Sequence, residues 1–255
     1  MQLQIKCMAC IQVDGKPSNE AFSVEMQDDG LYSTTCQSGH KTVTAIQEQK
    51  FEILFDLGAM ALLDGYPREA VTSMAAAVER FFEYYIQVIS LKHGIPFETF
   101  TKAWKPVSRQ SERQLGAFLF LYLIENKRAL DRSIVNAIPD ASFGLKKPLD
   151  WTGFRNSVVH NGYIPSSNEV RAYGDLIYSF IYRLIEELRA NSKDCMLKVA
   201  SHHVRRGLAL SGGTSITTVS MPTLICLAMA TRPASSFAEA LLSLKTFRRW
   251  HGYSA

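Results

Sequence analysis

The chain contains little glycine and little proline, and neither sign of charge dominates. Glycine and proline account for 15 and 9 of 255 residues, which excludes collagen-like and linker-dominated proteins. Because 28 Lys and Arg stand against 24 Asp and Glu, the net charge is only +4. This mild basicity permits a nucleic-acid partner but does not require one. With 47% hydrophobic and 20% charged residues, the composition predicts a folded globular protein rather than a disordered one.

The sequence also lacks a convincing membrane span. Residues 207–231 carry no charge, but they include Gly212, Gly213 and Pro222, and only the stretch 221–230 is mostly apolar. A spanning helix needs about 20 consecutive apolar residues, so we expect this stretch to be buried in the protein. The first residues show no apolar run typical of a signal peptide. We therefore expect a cytoplasmic protein with reduced thiols and no membrane partner.

The first 44 residues predict a small β module. Asp14-Gly15 and Asp29-Gly30 are turn sequences, and residues 21–26 alternate with the period of a strand. Residues 31–35 are predicted to pair back onto that strand across the second turn as a hairpin. Four short strands in 44 residues cannot bury a sufficient core by themselves. A module of this size therefore needs a covalent or metal crosslink.

Three of the five cysteines lie in this module and suggest that the crosslink is a metal. Cys7 and Cys10 form a CxxC pair, and Cys36 and His40 form a CxxxH pair. Two such pairs brought together supply a Cys3His set, which suits a structural Zn²⁺ with no open coordination position. The alternative is chance clustering of cysteines in a strand-rich segment. The pattern over residues 1–44 resembles the zinc-ribbon class, whose members bind nucleic acid, protein or neither.

From residue 45 onward the apolar pattern is helical. The remaining cysteines, Cys195 and Cys226, lie in apolar surroundings and are expected to be core thiols. The 3.6-residue period predicts a mainly α fold with helices over 47–64, 67–92, 108–126, 150–160, 167–190, 192–206 and 235–250. We predict three parts: a zinc-ribbon-like module at 1–44, an up-and-down helical bundle at 45–206, and an extension at 207–255 packed on the bundle.

One of these predicted helices ends in a set of side chains suited to phosphate chemistry. Arg155, Asn156 and His160 precede an Asn161-Gly162 stop. Histidine moves protons near neutral pH, and arginine stabilises charge on phosphate oxygens. Residues five apart do not share a face of an ideal helix, but a helix that ends at His160 can swing the imidazole toward Arg155. The alternative is a surface arginine and a histidine favoured by the helix dipole.

The stretch 154–162, followed by a long amphipathic helix, resembles the Arg-x4–6-His motif of the HEPN family. The resemblance covers roughly residues 47–206. It implies an up-and-down HEPN-like helical bundle and, in many members, a metal-independent RNA endonuclease of toxin or antiviral-defence type. It also implies that Arg155 and His160 are the catalytic pair, assisted by Asn156. The products of such an enzyme would carry 2′,3′-cyclic phosphate and 5′-OH ends.

The same resemblance implies further site residues and partners. An acidic residue on an earlier helix often joins the family's site, and Glu79 is the candidate here. A salt bridge of Glu79 with Arg80 or Arg155 is an equally acceptable alternative. The family's site usually forms in a homodimer, so we expect a homodimer that acts on RNA, with a neutralising antitoxin or sensor as a further possible partner. The competing function is a non-enzymatic adaptor that binds nucleic acid or protein.

Other polar and aromatic residues are weaker candidates for RNA contacts. They are the basic pairs Lys146-Lys147, Arg205-Arg206 and Arg248-Arg249, the pair His202-His203, and the aromatics Tyr84, Tyr85, Trp104 and Trp151. Basic pairs of this kind could meet an RNA backbone, but each pair alone is more typical of a solvated helix end. The aromatics occur at helical spacing, which is more typical of core positions than of base stacking.

Overall fold

The computed structural model describes residues 2–15, 21–131, 151–211, 215–229 and 234–250. These residues are mainly helical, with a small number of short strands. The chain forms two compact units. One comprises residues 1–49 with 197–222, and the other comprises residues 50–196 with 223–255. This differs from the three-part division predicted from the sequence, because residues 197–222 join the N-terminal module rather than the helical bundle.

The first unit contains two small sheets. Its elements are β1 (Gln2–Lys6), α1 (Met8–Asp14), β2 (Ala21–Glu25), β3 (Leu31–Thr35), β4 (Lys41–Ile46) and β5 (Ser215–Val219). Strands β1 and β2 pair antiparallel, while β4 lies between antiparallel β3 and parallel β5. The central strand β4 is buried along most of its length. The Thr44 and Thr217 hydroxyls, 2.8 Å apart, join β4 to β5.

The predicted hairpin between β2 and β3 is wrong, although both strands form. Strand β2 pairs with β1, and β3 pairs with β4. The Asp29-Gly30 sequence does mark a turn, since Gly30 has φ +66°. A Cβ at Gly30 would lie 2.5 Å from Cγ2 of Ile46, so the glycine allows a close approach to the end of β4. The sequence pattern therefore identified the turn but assigned it to the wrong pair of strands.

The hydrophobic core of the first unit is not limited to the first 44 residues, because residues 197–222 also belong to this unit. The segment from the C-terminal half of the chain adds β5 and the end of a helix. At that helix, Gly207 lies against side chains of Leu31, Val43 and Ala45. The β3–β4–β5 sheet therefore has apolar contacts of its own. A metal crosslink is needed most in the β1–α1–β2 part, whose small core is the cluster of Cys7, Ala9, Cys10 and Cys36 with Phe22.

The second unit is built from helices. They are α2 (Lys50–Leu63), α3 (Pro67–Lys92), α4 (Phe97–Trp104), α5 (Ser111–Asn126), α6 (Trp151–Val159), α7 (Ser167–Ser211) and α8 (Phe237–Trp250). The bounds predicted for α3 are confirmed, with Pro67 in its first turn. Helix α4 was not predicted. The two helices predicted over 167–206 form one element, α7, with a kink at Ser192 (φ −149°, ψ 25°), and its residues beyond 196 belong to the first unit.

Helix α3 is central to this second unit, because it contacts α2, α4, α5 and α6. Large aromatic side chains fill the spaces between these helices. Phe82 stacks on Phe118 of α5 with 4.5 Å between ring centroids, and Phe81 meets Phe51 of α2 edge-on at 5.2 Å. Each of these rings is fully or nearly fully buried. This packing fixes α3 as the element on which the short helix α6 rests.

The apolar stretch after β5 packs into the protein. Met221, Leu224 and Ile225 are buried, as the sequence predicts. The stretch has no regular secondary structure, so its backbone N–H groups need other partners. Within the second unit, Asp56 accepts from the Leu224 N–H at 2.9 Å, and Glu52 accepts from the Leu227 N–H at 2.8 Å. Among the described residues, no helix is long and apolar enough to cross a membrane.

Candidate metal centre and candidate active site

The first candidate site lies in the first unit, where the four predicted ligands come together. Cys7 is the residue immediately before α1, and Cys10 lies about one turn into the same helix. Cys36 and His40 bound the turn between β3 and β4. That turn is closed by hydrogen bonds from the Cys36 N–H to the His40 carbonyl and from the Gly39 N–H to the Cys36 carbonyl. Gly39 has φ +78°, a left-handed conformation that glycine adopts easily and that allows the tight turn before His40.

The geometry of the four side chains fits a tetrahedral metal ion. The four ligand atoms all lie within 4.8 Å of one another. Sγ of Cys10 lies 3.7 Å from Sγ of Cys36 and 3.3 Å from Nδ1 of His40, and Sγ of Cys36 lies 3.5 Å from Nδ1. A zinc tetrahedron with bonds of about 2.3 Å has edges of about 3.8 Å, close to these values. The separations exclude disulfides, whose sulfur atoms lie about 2.05 Å apart.

The cysteine thiols of this cluster differ in acidity. Burial and hydrogen bonds with the neighbouring thiols raise the pKa of Cys10 to about 11. Burial also acts to raise the pKa of Cys36, but hydrogen bonds from the backbone at His40 and from the other thiols lower it to about 7. Cys195 and Cys226 lie outside the cluster and are half-buried. The sequence predicts core thiols at both positions, and the structure gives them intermediate burial.

The second candidate site lies at the C-terminal end of α6, in the second unit. Helix α6 ends at Val159, and the His160 N–H still bonds to the Asn156 carbonyl at 2.9 Å. Gly162 then adopts φ +73°, a left-handed conformation that ends the helix. The predicted stop at Asn161-Gly162 is confirmed. The imidazole of His160 is exposed in this last turn, while Val158 is fully buried and anchors the helix to the bundle.

The guanidinium of Arg155 is the centre of this polar cluster. Its Nη1 donates to Oδ1 of Asn156 at 2.9 Å and lies 3.3 Å from Nε2 of His160. Its Nη2 forms a salt bridge with Oε1 of Glu79 on α3 at 3.0 Å. All four residues named from the sequence therefore lie within one hydrogen-bonded group. Since arginine can only donate, Nε2 of His160 is the acceptor in this contact.

The structure decides between the two predicted partners of Glu79. Arg80 pairs with Glu83 at 2.6 Å and with Oε1 of Gln114 at 2.9 Å, so Glu79 pairs with Arg155. Burial raises the pKa of the Glu79 carboxyl, although the charges of Arg155 and Arg80 act to lower it. Glu79 is thus a partly desolvated acid beside the cation of Arg155. An environment of this kind is common in active sites and also in structural ion-pair networks.

Sequence reasoning missed three residues around this cluster. A hydrogen bond to its own backbone and another to Ser111 lower the pKa of Glu112 at the start of α5, and the positive charge of nearby Arg155 adds to this effect. Tyr173 of α7 is buried beneath the cluster and contacts Phe154, with 5.4 Å between the ring centroids. Arg68 of α3 donates to the carbonyl of Val158. No pattern in the sequence links these residues to α6, because each comes from a different helix.

The structure describes the surroundings of some of the weaker RNA candidates. Lys146 and Lys147 lie outside the described residues. Arg206 bonds to the carbonyls of His203 and Asp29. Burial and the charge of Arg206 lower the pKa of His203 to about 4, so this histidine adds no positive charge at neutral pH. The four aromatic candidates, Tyr84, Tyr85, Trp104 and Trp151, are buried and belong to the core.

The chain was compared with models of protein families, with curated proteins and with solved structures, and no match was found in any of the three comparisons. The chemistry of the two clusters must therefore be argued from their geometry. The first is a closed set of soft and borderline metal ligands. The second is an arginine, an imidazole, an amide and a carboxylate on the surface of a helical unit.

Proposed function

We propose that the cluster on α6 is the active site of a metal-independent RNA endonuclease that resembles the HEPN family. The observation that carries the proposal is the 3.3 Å contact between Nη1 of Arg155 and Nε2 of His160. A helix of ideal geometry would hold these two side chains apart, so the early end of α6 is what brings them together. Of the activities compatible with this pair, we propose a toxin or antiviral-defence ribonuclease of the cytoplasm.

The four residues have separate roles in the proposed reaction. His160 accepts the proton of a ribose 2′-OH, and the resulting oxygen attacks the adjacent phosphorus. Arg155 turns from the imidazole to the non-bridging phosphate oxygens and stabilises the charge that builds there. The bond from phosphorus to the 5′-oxygen breaks, and that oxygen takes a proton from an acid, a role that the second His160 of the homodimer proposed below would fill. The products carry a 2′,3′-cyclic phosphate and a 5′-OH, and Glu79 and Asn156 hold the guanidinium in place.

We further propose that Cys7, Cys10, Cys36 and His40 hold a structural Zn²⁺. Three thiolates and an imidazole are the donors that zinc prefers, and their spacing matches the edges of its tetrahedron. Four protein ligands leave no position for water or substrate. The zinc would supply a crosslink between α1 and the β3–β4 turn, and it takes no part in the RNA chemistry.

A non-enzymatic adaptor is the second candidate function, and one observation favours it. The guanidinium of Arg155 has three partners within its own chain, namely Asn156, His160 and Glu79. A structural arginine would be held in the same way. In that case the cluster would stiffen the end of α6, and the protein would bind nucleic acid or a protein partner without cutting RNA.

RNA cleavage in EDTA distinguishes the two functions. We expect purified protein to cut single-stranded RNA in the presence of EDTA, because none of the four residues of the proposed active site needs a metal ion. End analysis of the fragments should find 2′,3′-cyclic phosphate and 5′-OH groups. The zinc content is measured after the EDTA step, so that loss of the structural metal is not mistaken for a metal requirement of the reaction. Tight RNA binding without any cleavage would favour the adaptor.

We also propose that the active enzyme is a homodimer whose α6 helices, with residues 150–162, face each other across the two-fold axis. The reaction needs a base and an acid, and each chain supplies one exposed histidine at this cluster. A two-fold axis brings the same patch of both subunits together, and therefore two histidines into one cleft. Tyr163 and Ile164, which follow the motif, are 44% and 72% exposed and supply apolar surface for such a contact.

Light scattering and subunit mixing test the dimer. The expected mass is twice the 28.6 kDa of one chain. If each cleft uses residues of both subunits, a mixture of Arg155→Ala and His160→Ala chains should recover part of the activity that each homodimer lacks. The control is the His160→Ala chain alone, at the same total protein concentration as the mixture. A fully active monomer would contradict the proposal.

A further inference from the structure

The last turn of α6 is held by a side chain from another helix. Nη2 of Arg68, at the start of α3, donates to the carbonyl of Val158 at 3.1 Å. The final carbonyls of a helix have no partner within the helix. A charged donor makes a stronger hydrogen bond to such a carbonyl than a neutral one, and a cation is favourable at this end of the helix dipole. Arg68 therefore caps α6 two residues before His160.

The backbone around this carbonyl explains why an external donor is used. The N–H groups of Asn161 and Tyr163 both bond to the carbonyl of Ser157, at 3.2 and 3.0 Å. The chain after α6 thus turns back onto Ser157 rather than onto Val158. The turn therefore leaves the Val158 carbonyl to Arg68, whose guanidinium donates to it.

The orientation of Arg68 also leaves one of its N–H groups without a hydrogen bond that water could supply. Its Nε is buried and has no hydrogen-bond partner among the described residues. A surface arginine would satisfy that N–H by turning toward water. The buried, unpartnered Nε indicates instead that the side chain is packed in one orientation, with Nη2 directed at α6.

Helix α3 also positions Arg155, the other member of the proposed catalytic pair. Glu79 lies about three helical turns after Arg68 on α3 and holds the Arg155 guanidinium. We propose that Arg68 is a positioning residue that fixes the last turn of α6, and with it the imidazole of His160 beside Arg155. The effect of Arg68 on RNA cleavage rests on the proposed function. The effect of Arg68 on the position of His160 is independent of that function.

The first test follows the imidazole directly and does not depend on enzymatic activity. In the full-length protein, the ¹³C and ¹⁵N NMR signals of the His160 ring are assigned by their loss in His160→Gln. Arg68→Ala should shift these signals and make the two ring nitrogens more alike, as expected for an imidazole that loses its fixed contact with Arg155. Arg68→Lys, which keeps a charged donor, should restore most of the wild-type pattern. Arg183→Ala, which removes an ion pair with Glu187 on α7, is the control and should leave the signals in place.

The second test measures RNA cleavage by the same variants. Arg68→Ala should lower kcat about 100-fold, the loss expected from a misplacement of about 1 Å, with little change in KM, and Arg68→Lys should recover most of it. Unchanged His160 signals in Arg68→Ala would overturn the inference. If Arg68→Ala does not fold, Arg68→Lys and Arg68→Gln decide, because only the former should keep the wild-type signals. If the wild-type protein cuts no RNA, the proposed function fails and the NMR result still decides the role of Arg68.

Discussion

Replacing His160 with alanine should reduce RNA cleavage by about 100- to 10,000-fold, the range for loss of a positioned acid–base group. The imidazole is exposed at the end of α6, so the melting temperature should stay within about one degree of wild type. Cleavage is measured as initial rates on a fluorescent single-stranded RNA, with thermal unfolding recorded on the same samples. His93→Ala is the matched control, because His93 is a half-exposed histidine paired with Glu125 at the end of α3.

Arg155→Ala should lower the rate of RNA cleavage as much as His160→Ala does. Unlike His160→Ala, it should also lower the free energy of unfolding. It removes the cation beside Glu79, whose carboxylate is 24% exposed, and so leaves a partly buried acid without its ion-pair partner. The loss should be about 1–3 kcal/mol in the free energy of unfolding. Arg155→Ala combined with Glu79→Ala should recover part of this stability and none of the activity. Cleavage by His160→Ala at the wild-type rate would refute the ribonuclease proposal outright.

Cys36→Ser should release the bound zinc and disorder the part of the first unit that the metal holds together. Wild-type protein should carry about one zinc per chain, and structural zinc sites contribute an apparent free energy of about 10–16 kcal/mol to folding in small modules. A serine oxygen replaces one of the three thiolates, which weakens the binding of zinc. Once the zinc is lost, the remaining buried thiolates have no cation to balance their negative charge. Zinc is quantified by mass spectrometry after extensive dialysis.

Hydrogen exchange should show where the metal matters. We expect faster exchange in β1, α1, β2 and the β3–β4 turn, whose small core is formed by the cysteines themselves. The β3–β4–β5 sheet, which has its own apolar contacts, should be less affected, and the helical circular dichroism should remain. Cys195→Ser, a half-buried thiol outside the cluster, is the control and should retain zinc. A wild-type protein without metal whose β1–α1–β2 part is protected from exchange would contradict the assignment.

The elements that the sequence predicted well are those set by local chemistry. Helix α3 begins at Pro67 because a proline is tolerated in the first turn, and it ends at Lys92, where the chain turns at His93-Gly94. The CxxC and CxxxH spacings place two ligands on one helix turn and two on one β turn, so each pair is fixed by residues within five positions. The early end of α6 at Asn161-Gly162 also follows from a glycine with positive φ.

The predictions that failed concern pairing between distant segments. Strand β4 pairs with β5, which lies more than 170 residues later in the chain, and a parallel pair cannot be closed by a short turn. The sequence of β5 therefore carries no indication of its partner. In the same way, the Asp29-Gly30 turn reflects the close approach of Ile46 rather than a hairpin.

The sequence by itself identified the candidate site residues: the three cysteines and His40, and the Arg155, Asn156 and His160 group with Glu79 as a further candidate. The tertiary structure alone decided their partners. It paired Glu79 with Arg155 rather than Arg80, brought Glu112 near the cluster and placed Arg68 on the Val158 carbonyl. The physical reason is the range of each interaction. Caps, turns and ligand pairs act over a few residues and leave a pattern in the sequence, whereas an ion pair between two packed helices depends on how those helices meet.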